Sequence, residues 1–217
     1  MPETSSRNSL NKQAYDKVAK EYGKRVSVLS ANNKKVISLF IDYLDKQFDG
    51  DLHHDLAILD IGVGSGLDLK FFNEQGFQVF GNEISEKMVD VAKNNVPEAQ
   101  FFIGDFLKYN FPQKFDGIYA QAFIHLFPKA EVGEVFSKMF SLLNSKGLIH
   151  FSTTIHAEPW EGWEEKHDYE VKVKRFRKHW NLQELNDFLE SIGVNVIHQY
   201  TIHDPLGKNW VNTIISN

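Results

Sequence analysis

The chain has 217 residues, 42% of them hydrophobic and 24% charged, which is enough apolar sequence to bury one globular core. No apolar run approaches the roughly 18 residues that cross a bilayer, and the N-terminus lacks the apolar core of a signal peptide, so we expect a soluble, cytoplasmic protein with no membrane partner. The absence of cysteine excludes disulfides, thiolate metal ligands and cysteine nucleophiles, and the net charge of −5 argues against a nucleic-acid partner.

Two amphipathic helices are predicted at the start, because apolar residues recur at three- and four-residue spacing over Tyr15–Tyr22 and Val36–Phe48. Asp49-Gly50-Asp51 is expected to end the second helix. Short apolar runs then alternate with helical segments, which is typical of a parallel sheet with helices on both faces. The predicted strands are Leu56–Ile61, Phe77–Glu83, Ala99–Ile103, Phe115–Ala120 and Gly147–Thr153, and the helices between them are Gly66–Gln75, Glu86–Asn95 and Lys129–Leu143.

The order changes near the C-terminus, where a predicted helix, Leu182–Ile192, precedes two β-rich runs, Val194–His203 and Lys208–Ser216. Asp-Pro-Leu-Gly joins these runs as a turn, which predicts an antiparallel hairpin. Residues 156–180 break the pattern, and we interpret them as a substrate-side insertion over the carboxyl edge of the sheet. We predict one domain over 1–217, with N-terminal helices in 1–50.

A glycine-rich turn follows the first predicted strand. Gly62, Gly64 and Gly66 allow the backbone to turn tightly and to present amides to a ligand at a helix N-terminus, although a turn that binds nothing would have the same glycines. Asp60 lies inside the preceding apolar run, where a carboxylate is costly unless a cationic or hydrogen-bonding group meets it. The ammonium group of a cofactor would supply that partner.

The next two predicted strands also end in acidic residues. Glu83 closes the second strand, where a carboxylate faces the ribose hydroxyls of a nucleotide lying across the first turn. After the third strand, Asp105 is placed to accept a hydrogen bond from an adenine amine, and the amide of Phe106 to meet a ring nitrogen. A solvated acid or helix cap at Glu83 and an ordinary Gly-Asp turn at Asp105 remain as alternatives.

Four stretches in this order resemble successive motifs of the class I methyltransferases that use S-adenosylmethionine. They are Ile58-Leu-Asp-Ile-Gly-Val-Gly-Ser-Gly66, Val79-Phe-Gly-Asn-Glu-Ile-Ser-Glu-Lys-Met88, Gly104-Asp105 and Phe115-Asp-Gly-Ile118. The resemblance runs from about Tyr15 to the C-terminus. It implies a three-layer, Rossmann-like α/β sandwich whose seven-stranded, mostly parallel sheet has the order 3-2-1-4-5-7-6, with strand 7 antiparallel and N-terminal lid helices.

By this resemblance the protein is an enzyme that takes a methyl group from S-adenosylmethionine and releases S-adenosylhomocysteine. Asp60 and the glycine turn would hold the methionyl end, Glu83 the ribose, and Met88 the adenine, while aromatic residues of the first helix would cover the cofactor. The expected cofactor-binding residues are Tyr15, Tyr22, Asp60, Gly62, Gly64, Gly66, Glu83, Ile84, Met88, Gly104, Asp105, Phe106 and Gln121. We predict no metal, since Gln121 alone is thin support for a metal site near the fourth strand.

Methyl transfer from a sulfonium is a direct displacement, so the protein mainly aligns the reactants, and a general base is needed only for acceptors that must lose a proton. His125 and His156 follow the fourth and fifth strands and are the candidate catalytic residues. The family commonly has histidine one position later, where this chain has Leu126. His150 lies inside a strand and is predicted to be a core or helix-facing residue.

The aromatic insertion is the predicted source of the substrate pocket. Tryptophans would wall an organic ligand, and Arg175 or Arg177 would grip a carboxylate or phosphate, unless the aromatic residues pack a small lid and the charges are solvated. The expected substrate-binding residues are His125, Trp160, Trp163, Arg175 and Trp180.

A small metabolite or natural-product intermediate with an oxygen or nitrogen nucleophile is the favoured acceptor, for an enzyme that is a monomer or homodimer. A methyltransferase acting on protein or nucleic acid and a non-catalytic nucleotide-binding module remain as alternatives. A nicotinamide-dependent dehydrogenase is disfavoured, because its fingerprint spaces the last two glycines by two residues, whereas one residue separates Gly64 from Gly66.

Overall fold

A seven-stranded sheet forms the centre of the computed structural model, which describes residues 4–49, 53–166 and 169–217. The strands are β1 (Ala57–Ile61), β2 (Gln78–Glu83), β3 (Gln100–Ile103), β4 (Phe115–Ala120), β5 (Leu143–Ile155), β6 (Trp160–Lys166), β7 (Val173–His179), β8 (Asn195–His203) and β9 (Asn209–Ser216). Strands β6 and β7 form a separate antiparallel pair.

The central sheet has the order β3-β2-β1-β4-β5-β9-β8. Strands β1 to β5 pair in parallel, and β9 pairs antiparallel with both β5 and β8. When β6 and β7 are left out of the numbering, this is the predicted order 3-2-1-4-5-7-6 with strand 7 antiparallel. The fold class inferred from the sequence is therefore confirmed.

Six helices are found among the described residues: α1 (Thr4–Arg25), α2 (Ala31–Gln47), α3 (Leu67–Glu74), α4 (Glu86–Asn95), α5 (Lys129–Ser141) and α6 (Leu182–Ser191). The sequence fixes several of their starts locally. Ser30, Ser85 and Asn181 each accept a hydrogen bond from a backbone N–H in the first turn of the helix that follows. None of the described helices is long and apolar enough to cross a membrane.

Two apolar layers cover the sheet. Leu59 belongs to the layer formed with α5 and α6, whereas its neighbour Ile58 belongs to the layer formed with α2 and α3. Because both faces of β1 are buried, the strand is apolar at every position except Asp60 and does not alternate with polar residues. This burial on two sides explains why the inner strands were visible as continuous apolar runs.

The structure differs from the sequence prediction in the insertion and in the bounds of several elements. Residues 156–180, for which no regular structure was predicted, contain the β6–β7 hairpin. Strand β5 begins at Leu143 and not at Gly147, and α1 extends to both sides of the predicted Tyr15–Tyr22. Gly50 and Asp51, predicted to end the second helix, lie outside the described residues, and α2 ends at Gln47.

Candidate active site

A cavity of about 450 Å³ opens at the carboxyl ends of the parallel strands, where ligands of α/β folds bind. Segments that follow β1, β2, β3 and β4 form its floor, and α1, the β6–β7 hairpin and the β8–β9 turn complete its walls. Predicted residues found in the wall are Tyr15, Tyr22, Gly62, Gly64, Glu83, Ile84, Met88, Gly104, Asp105, Phe106, Gln121, His125 and Arg175.

The turn after β1 needs glycine for two reasons. Gly62 has a φ of 73°, and a Cβ at that position would lie 2.9 Å from the ring of Phe123. The Gly62 N–H donates to the carbonyl oxygen of Asn82 at 2.8 Å, which fixes the turn against the end of β2. The bare backbone of Gly62 and Gly64 therefore forms one side of the cavity.

Two predicted cofactor residues, Asp60 and Gly66, are not among the residues that line the cavity. Asp60 is buried within β1, in register with Gly81 of β2 and Tyr119 of β4. Burial, together with nearby Asp68, raises the pKa of Asp60 well above its ordinary value. Gly66 begins α3, and a Cβ there would lie 3.0 Å from Ala92. Asp60 therefore lies beneath the turn, and Gly66 packs against α4.

Glu83 lies at the end of β2 with its carboxylate in the cavity wall. Its Oε1 accepts from the Ser85 N–H at 3.0 Å, and its Oε2 accepts from the Gly64 N–H at 3.3 Å. Burial raises the pKa of Glu83, while these amide donors oppose that rise. Ile84 and Met88 line the wall beside it. This end of the cavity thus combines an oriented carboxylate with apolar surface.

The segment after β3 is joined to the N-terminal helix. Asp105 accepts from Asn8 Nδ2 at 2.8 Å and from the Leu107 N–H at 3.1 Å. The neighbouring Phe106 is buried and packs edge to face against Phe123, with ring centroids 5.7 Å apart. Asn8 therefore already occupies one acceptor site on the carboxylate that the sequence assigned to an adenine amine.

Helix α1 lies across the cavity and is fixed at several points. Ser85 Oγ donates to Asp16 at 2.6 Å, and the backbone N–H of Phe176 in β7 donates to Asn11 Oδ1 at 3.0 Å. The buried guanidinium of Arg7 donates to both carboxylate oxygens of Glu131 in α5, at 2.5 and 2.6 Å. The described structure thus holds α1 in a closed position over the site.

His125 also lines the cavity and lies in a short 3₁₀ turn after β4. It is 3% exposed, and its Nδ1 lies 3.4 Å from Thr153 Oγ1. Burial, followed by the positive charges of Arg177 and Arg175, lowers the pKa of His125 well below its ordinary value of 6.5. The imidazole is therefore neutral at physiological pH and can accept a proton.

The remaining predicted substrate and catalytic residues do not line the cavity, and the substrate contact predicted for Trp180 is wrong. Trp180 is fully buried in the core beside Phe188, because its strand bridge to Ile155 directs it beneath α6. His156 stacks on His179 and bonds Thr154 on the outer side of the hairpin. The other two tryptophans also pack within the hairpin, Trp160 against His179 and Trp163 against Phe176.

Other wall residues had no assigned role in the sequence prediction. They are Asn8, Asn11, Val26, Asn82, Ala122, Phe123, Leu126, Phe127, Tyr169, Asp204, Leu206, Lys208 and Trp210. Asp204, Leu206 and Lys208 belong to the β8–β9 connection, whose Asp-Pro-Leu-Gly was predicted only as a turn, and Trp210 belongs to β9. The basic stretch around Arg177 was the signal available for the hairpin, and Arg177 also lines the cavity. Among the residues that the structure describes, no cluster of acidic and histidine side chains is arranged to hold a metal ion.

Comparison with known proteins gives the same fold and a family. A family model described as a methyltransferase domain matches residues 58–147. An uncharacterised methyltransferase from Alkaliphilus oremlandii (strain OhILAs) is 31% identical over 161 residues, which are 70% of this chain and 72% of the relative.

Two solved structures share the architecture at low sequence identity. The 1,6-didemethyltoxoflavin-N1-methyltransferase of Burkholderia thailandensis, with bound 1,6-didemethyltoxoflavin and S-adenosylhomocysteine, has a TM-score of 0.75 at 15% identity, over 99% of this chain and 90% of that chain. The magnesium protoporphyrin IX methyltransferase of Synechocystis PCC 6803, with bound S-adenosylmethionine, has a TM-score of 0.70 at 15% identity, over 97% of each chain. At such identities the likeness is one of fold.

Proposed function

The chain belongs to the class I methyltransferases, whose methyl donor is S-adenosylmethionine, and we propose that it methylates an oxygen or nitrogen atom of a small molecule. The observation that carries the proposal is that the glycine turn, Glu83 and His125 line one cavity. Helix α1, the β6–β7 hairpin and the β8–β9 turn border this cavity, so a compact acceptor suits it better than a polymer.

We call the part of the cavity formed by the segments after β1, β2 and β3 the donor half. Its residues suit the methionyl, ribose and adenine parts of S-adenosylmethionine. When bound, this donor supplies an electrophilic methyl group on a sulfonium. We assign the methionyl end to the bare backbone at Gly62 and Gly64, and the ribose hydroxyls to the acceptor oxygens of Glu83. Met88 and Phe106 offer apolar contact to the adenine ring. Asp105, already oriented by Asn8, accepts from its amine.

We call the part of the cavity around His125 the acceptor half. His125 is a group there that can take a proton. In the tautomer whose Nδ1–H donates to Thr153 Oγ1, Nε2 of His125 carries the free lone pair. A hydroxyl or amine that loses its proton to this nitrogen becomes a stronger nucleophile, and the lowered pKa of His125 keeps the imidazole neutral. His125 is thus proposed as the general base, with alignment of the acceptor supplied by the surrounding wall.

The small-molecule assignment also draws on a solved relative in fold. The Burkholderia thailandensis protein is named for methylation at N1 of a small molecule and holds that molecule together with S-adenosylhomocysteine. This supports a small acceptor here without identifying it.

The proposal is tested by incubating the enzyme with S-adenosylmethionine labelled in the methyl group and a total extract of the source cells. We expect label to appear in extractable small molecules and S-adenosylhomocysteine to inhibit the transfer. Label found only in protein or nucleic acid would overturn the small-molecule assignment. Absence of any transfer in the presence of demonstrated donor binding would indicate a non-catalytic binding protein.

The donor half is tested separately by calorimetry with S-adenosylhomocysteine. We expect Glu83→Gln to weaken binding by about tenfold or more, because a carboxylate acceptor for two hydroxyls is lost. Glu86→Gln is the matched control, since Glu86 is exposed in the first turn of α4 and does not line the cavity. Equal affinity for both variants would remove Glu83 from the site.

A further inference from the structure

The acceptor half of the cavity is positively charged. Arg175 and Arg177 of β7 and Lys208 of the β8–β9 connection all line it, and all three lower the pKa of His125. Asp204 is the acidic residue among the described lining residues on this side. Its carboxylate accepts hydrogen bonds from two backbone amides and from Trp210 Nε1, so the turn itself uses it. An anion entering this half meets an excess of positive charge.

Arg177 is the cation best placed to bind such an anion. Within the described chain, no side chain or backbone group forms a hydrogen bond or ion pair with its guanidinium, and the residue is half-buried in the cavity wall. The carboxylate of Glu164 raises the pKa of Arg177 through its charge, and Glu164 Oε1 itself lies 3.6 Å from His179 Nε2. A half-buried guanidinium that faces the cavity without a protein partner is suited to a ligand that supplies the acceptors.

The positions of the other two cations, Arg175 and Lys208, explain why Arg177 in particular is available to bind an anion. The guanidinium of Arg175 lies over the ring of Tyr15, 5.1 Å from its centroid, and is thereby held at the wall next to α1. Lys208 is exposed at the mouth of the cavity. The three cations thus extend from the mouth to the wall beside His125, an arrangement that attracts an anion and leaves a planar, two-pronged donor to bind it.

We propose that the methyl acceptor is a small oxyanion, carrying a carboxylate or phosphate group that Arg177 binds while its nucleophilic atom is directed toward His125. This inference rests on the proposed small-molecule function and narrows it to one substrate class. It also gives the β6–β7 hairpin a specific role: the hairpin selects the acceptor by charge, while the segments after β1, β2 and β3 bind the donor.

The first test separates a cell extract on an anion-exchange column at pH 8 and assays each fraction with methyl-labelled S-adenosylmethionine. We expect the acceptor in the retained, anionic fraction. An acceptor found in the flow-through would overturn the inference while leaving the small-molecule function intact. Label in no small-molecule fraction would overturn both. Treating the retained fraction with alkaline phosphatase distinguishes the two sources, because only a phosphate-bearing acceptor is lost.

The second test uses that purified acceptor with Arg177→Met and Arg177→Lys. Loss of a charge-assisted pair should raise KM for the acceptor by about ten- to a hundredfold in Arg177→Met, with a smaller rise in Arg177→Lys, which keeps the charge but loses the planar fork. Affinity for S-adenosylhomocysteine, measured by calorimetry, should stay within twofold of wild type. Lys174→Met is the matched control, because Lys174 is an exposed cation on the same strand.

An unchanged KM in Arg177→Met, with normal S-adenosylhomocysteine binding, would overturn the inference. If Arg177→Met does not bind S-adenosylhomocysteine, that variant has not folded correctly. The KM of Arg177→Lys then decides the role of Arg177. The column experiment does not depend on either variant.

Discussion

At the scale of single residues, His125 links burial to chemistry. Its pKa is lowered by burial and by the surrounding cations, so the neutral form persists to a pH below the ordinary value of 6.5. A general base is active when neutral. We therefore expect the acid limb of the kcat/KM profile to fall with an apparent pKa below 6.5. We expect His125→Gln to lower kcat by about 10²- to 10⁴-fold at pH 7.5.

Two measurements check this role. S-adenosylhomocysteine should bind His125→Gln as it binds wild type, which shows that the donor half is intact. His156→Gln is the control, because His156 lies outside the cavity and bonds Thr154. A kcat for His125→Gln within threefold of wild type, or an unaltered acid limb, would assign proton removal to solvent or to the substrate itself.

His150 is a buried histidine with no proposed catalytic role, so its burial should affect only the pH dependence of stability. It stacks on Tyr119 at 4.6 Å, and complete burial lowers its pKa to about 3. Protonation therefore favours the unfolded chain once the pH falls below about 6.5, and stability is lost progressively down to the folded pKa. Between pH 7.5 and pH 5.0 this loss should reach about 2 kcal/mol.

The measurement compares urea unfolding of wild type and His150→Phe at both pH values. The phenylalanine ring keeps the stacking surface but binds no proton, so the variant should gain about 2 kcal/mol relative to wild type on moving to pH 5.0. Wild type and variant must be compared at each pH, because Asp60 and Asp68 have raised pKa values and therefore stabilise the folded state as the pH falls. Their contribution is the same in both proteins and cancels in the difference. A constant difference between the two proteins would mean that His150 titrates normally.

At the scale of elements, the closed position of α1 depends on contacts with distant segments. The ion pair between Arg7 and Glu131 joins α1 to α5, and the Arg7 guanidinium also lies 5.3 Å from the ring centroid of Phe127. Glu131→Gln leaves a buried guanidinium with a weaker acceptor. We expect a loss of about 1–3 kcal/mol in the free energy of unfolding, moderated because Glu131 is partly exposed.

Amide hydrogen exchange shows which part of the protein Glu131→Gln destabilises. Amides of α1 should lose protection in Glu131→Gln before those of the central sheet, and S-adenosylhomocysteine should dissociate faster because α1 carries part of the cavity wall. Glu134→Gln, an exposed substitution one turn further along α5, is the control. Uniform loss of protection throughout the protein would indicate that the pair stabilises the whole fold and has no separate role in holding α1.

At the scale of the whole molecule, the cavity joins the two ends of the chain. Its wall extends from Asn8 in α1 to Trp210 in β9, so a ligand that fills it stabilises contacts over most of the sequence. S-adenosylhomocysteine at 100 times its Kd should add about 2.7 kcal/mol to the free energy of unfolding. For a chain of this size the midpoint temperature should rise by about 5–10 °C.

Thermal unfolding followed by circular dichroism, with and without the product, checks this expectation. NAD⁺ at the same concentration is the control, since a dehydrogenase site would respond to it. Stabilisation by NAD⁺ and not by S-adenosylhomocysteine would contradict the assignment of the donor half.

Most of the residues proposed for the donor half could be placed in one cavity wall from sequence, because they follow strand ends. Glu83 is the last residue of the buried strand β2, and Asp105 follows the end of the edge strand β3 by two residues. Parallel strands bring their carboxyl ends to one edge of the sheet. The same reasoning placed Asp60 and Gly66 at the ligand, but neither of them lines the cavity. A strand residue two positions before a turn is covered by neighbouring strands, and the glycine that begins α3 packs against α4. Their roles remain local to the turn.

The acceptor half was less predictable because aromatic residues suit a core and a ligand wall equally. Trp180 and the two hairpin tryptophans differ in no sequence property that separates these uses, and only strand pairing sent Trp180 into the core. Asn8, Lys208 and Trp210 reach the cavity from opposite ends of the chain. No local pattern marks such contacts.

The α/β class could therefore be read from the amino-acid sequence, because apolar periodicity depends on neighbours along the chain. The order of the sheet was implied by the resemblance of short motifs to the class I methyltransferases, and the same motifs mark the strand ends proposed to hold the donor. Tertiary structure alone decided which aromatic residues are core, how α1 closes the cavity and which cations surround His125. These depend on the long-range packing of α1, the β6–β7 hairpin and the β8–β9 turn, where residues more than a hundred positions apart come into contact.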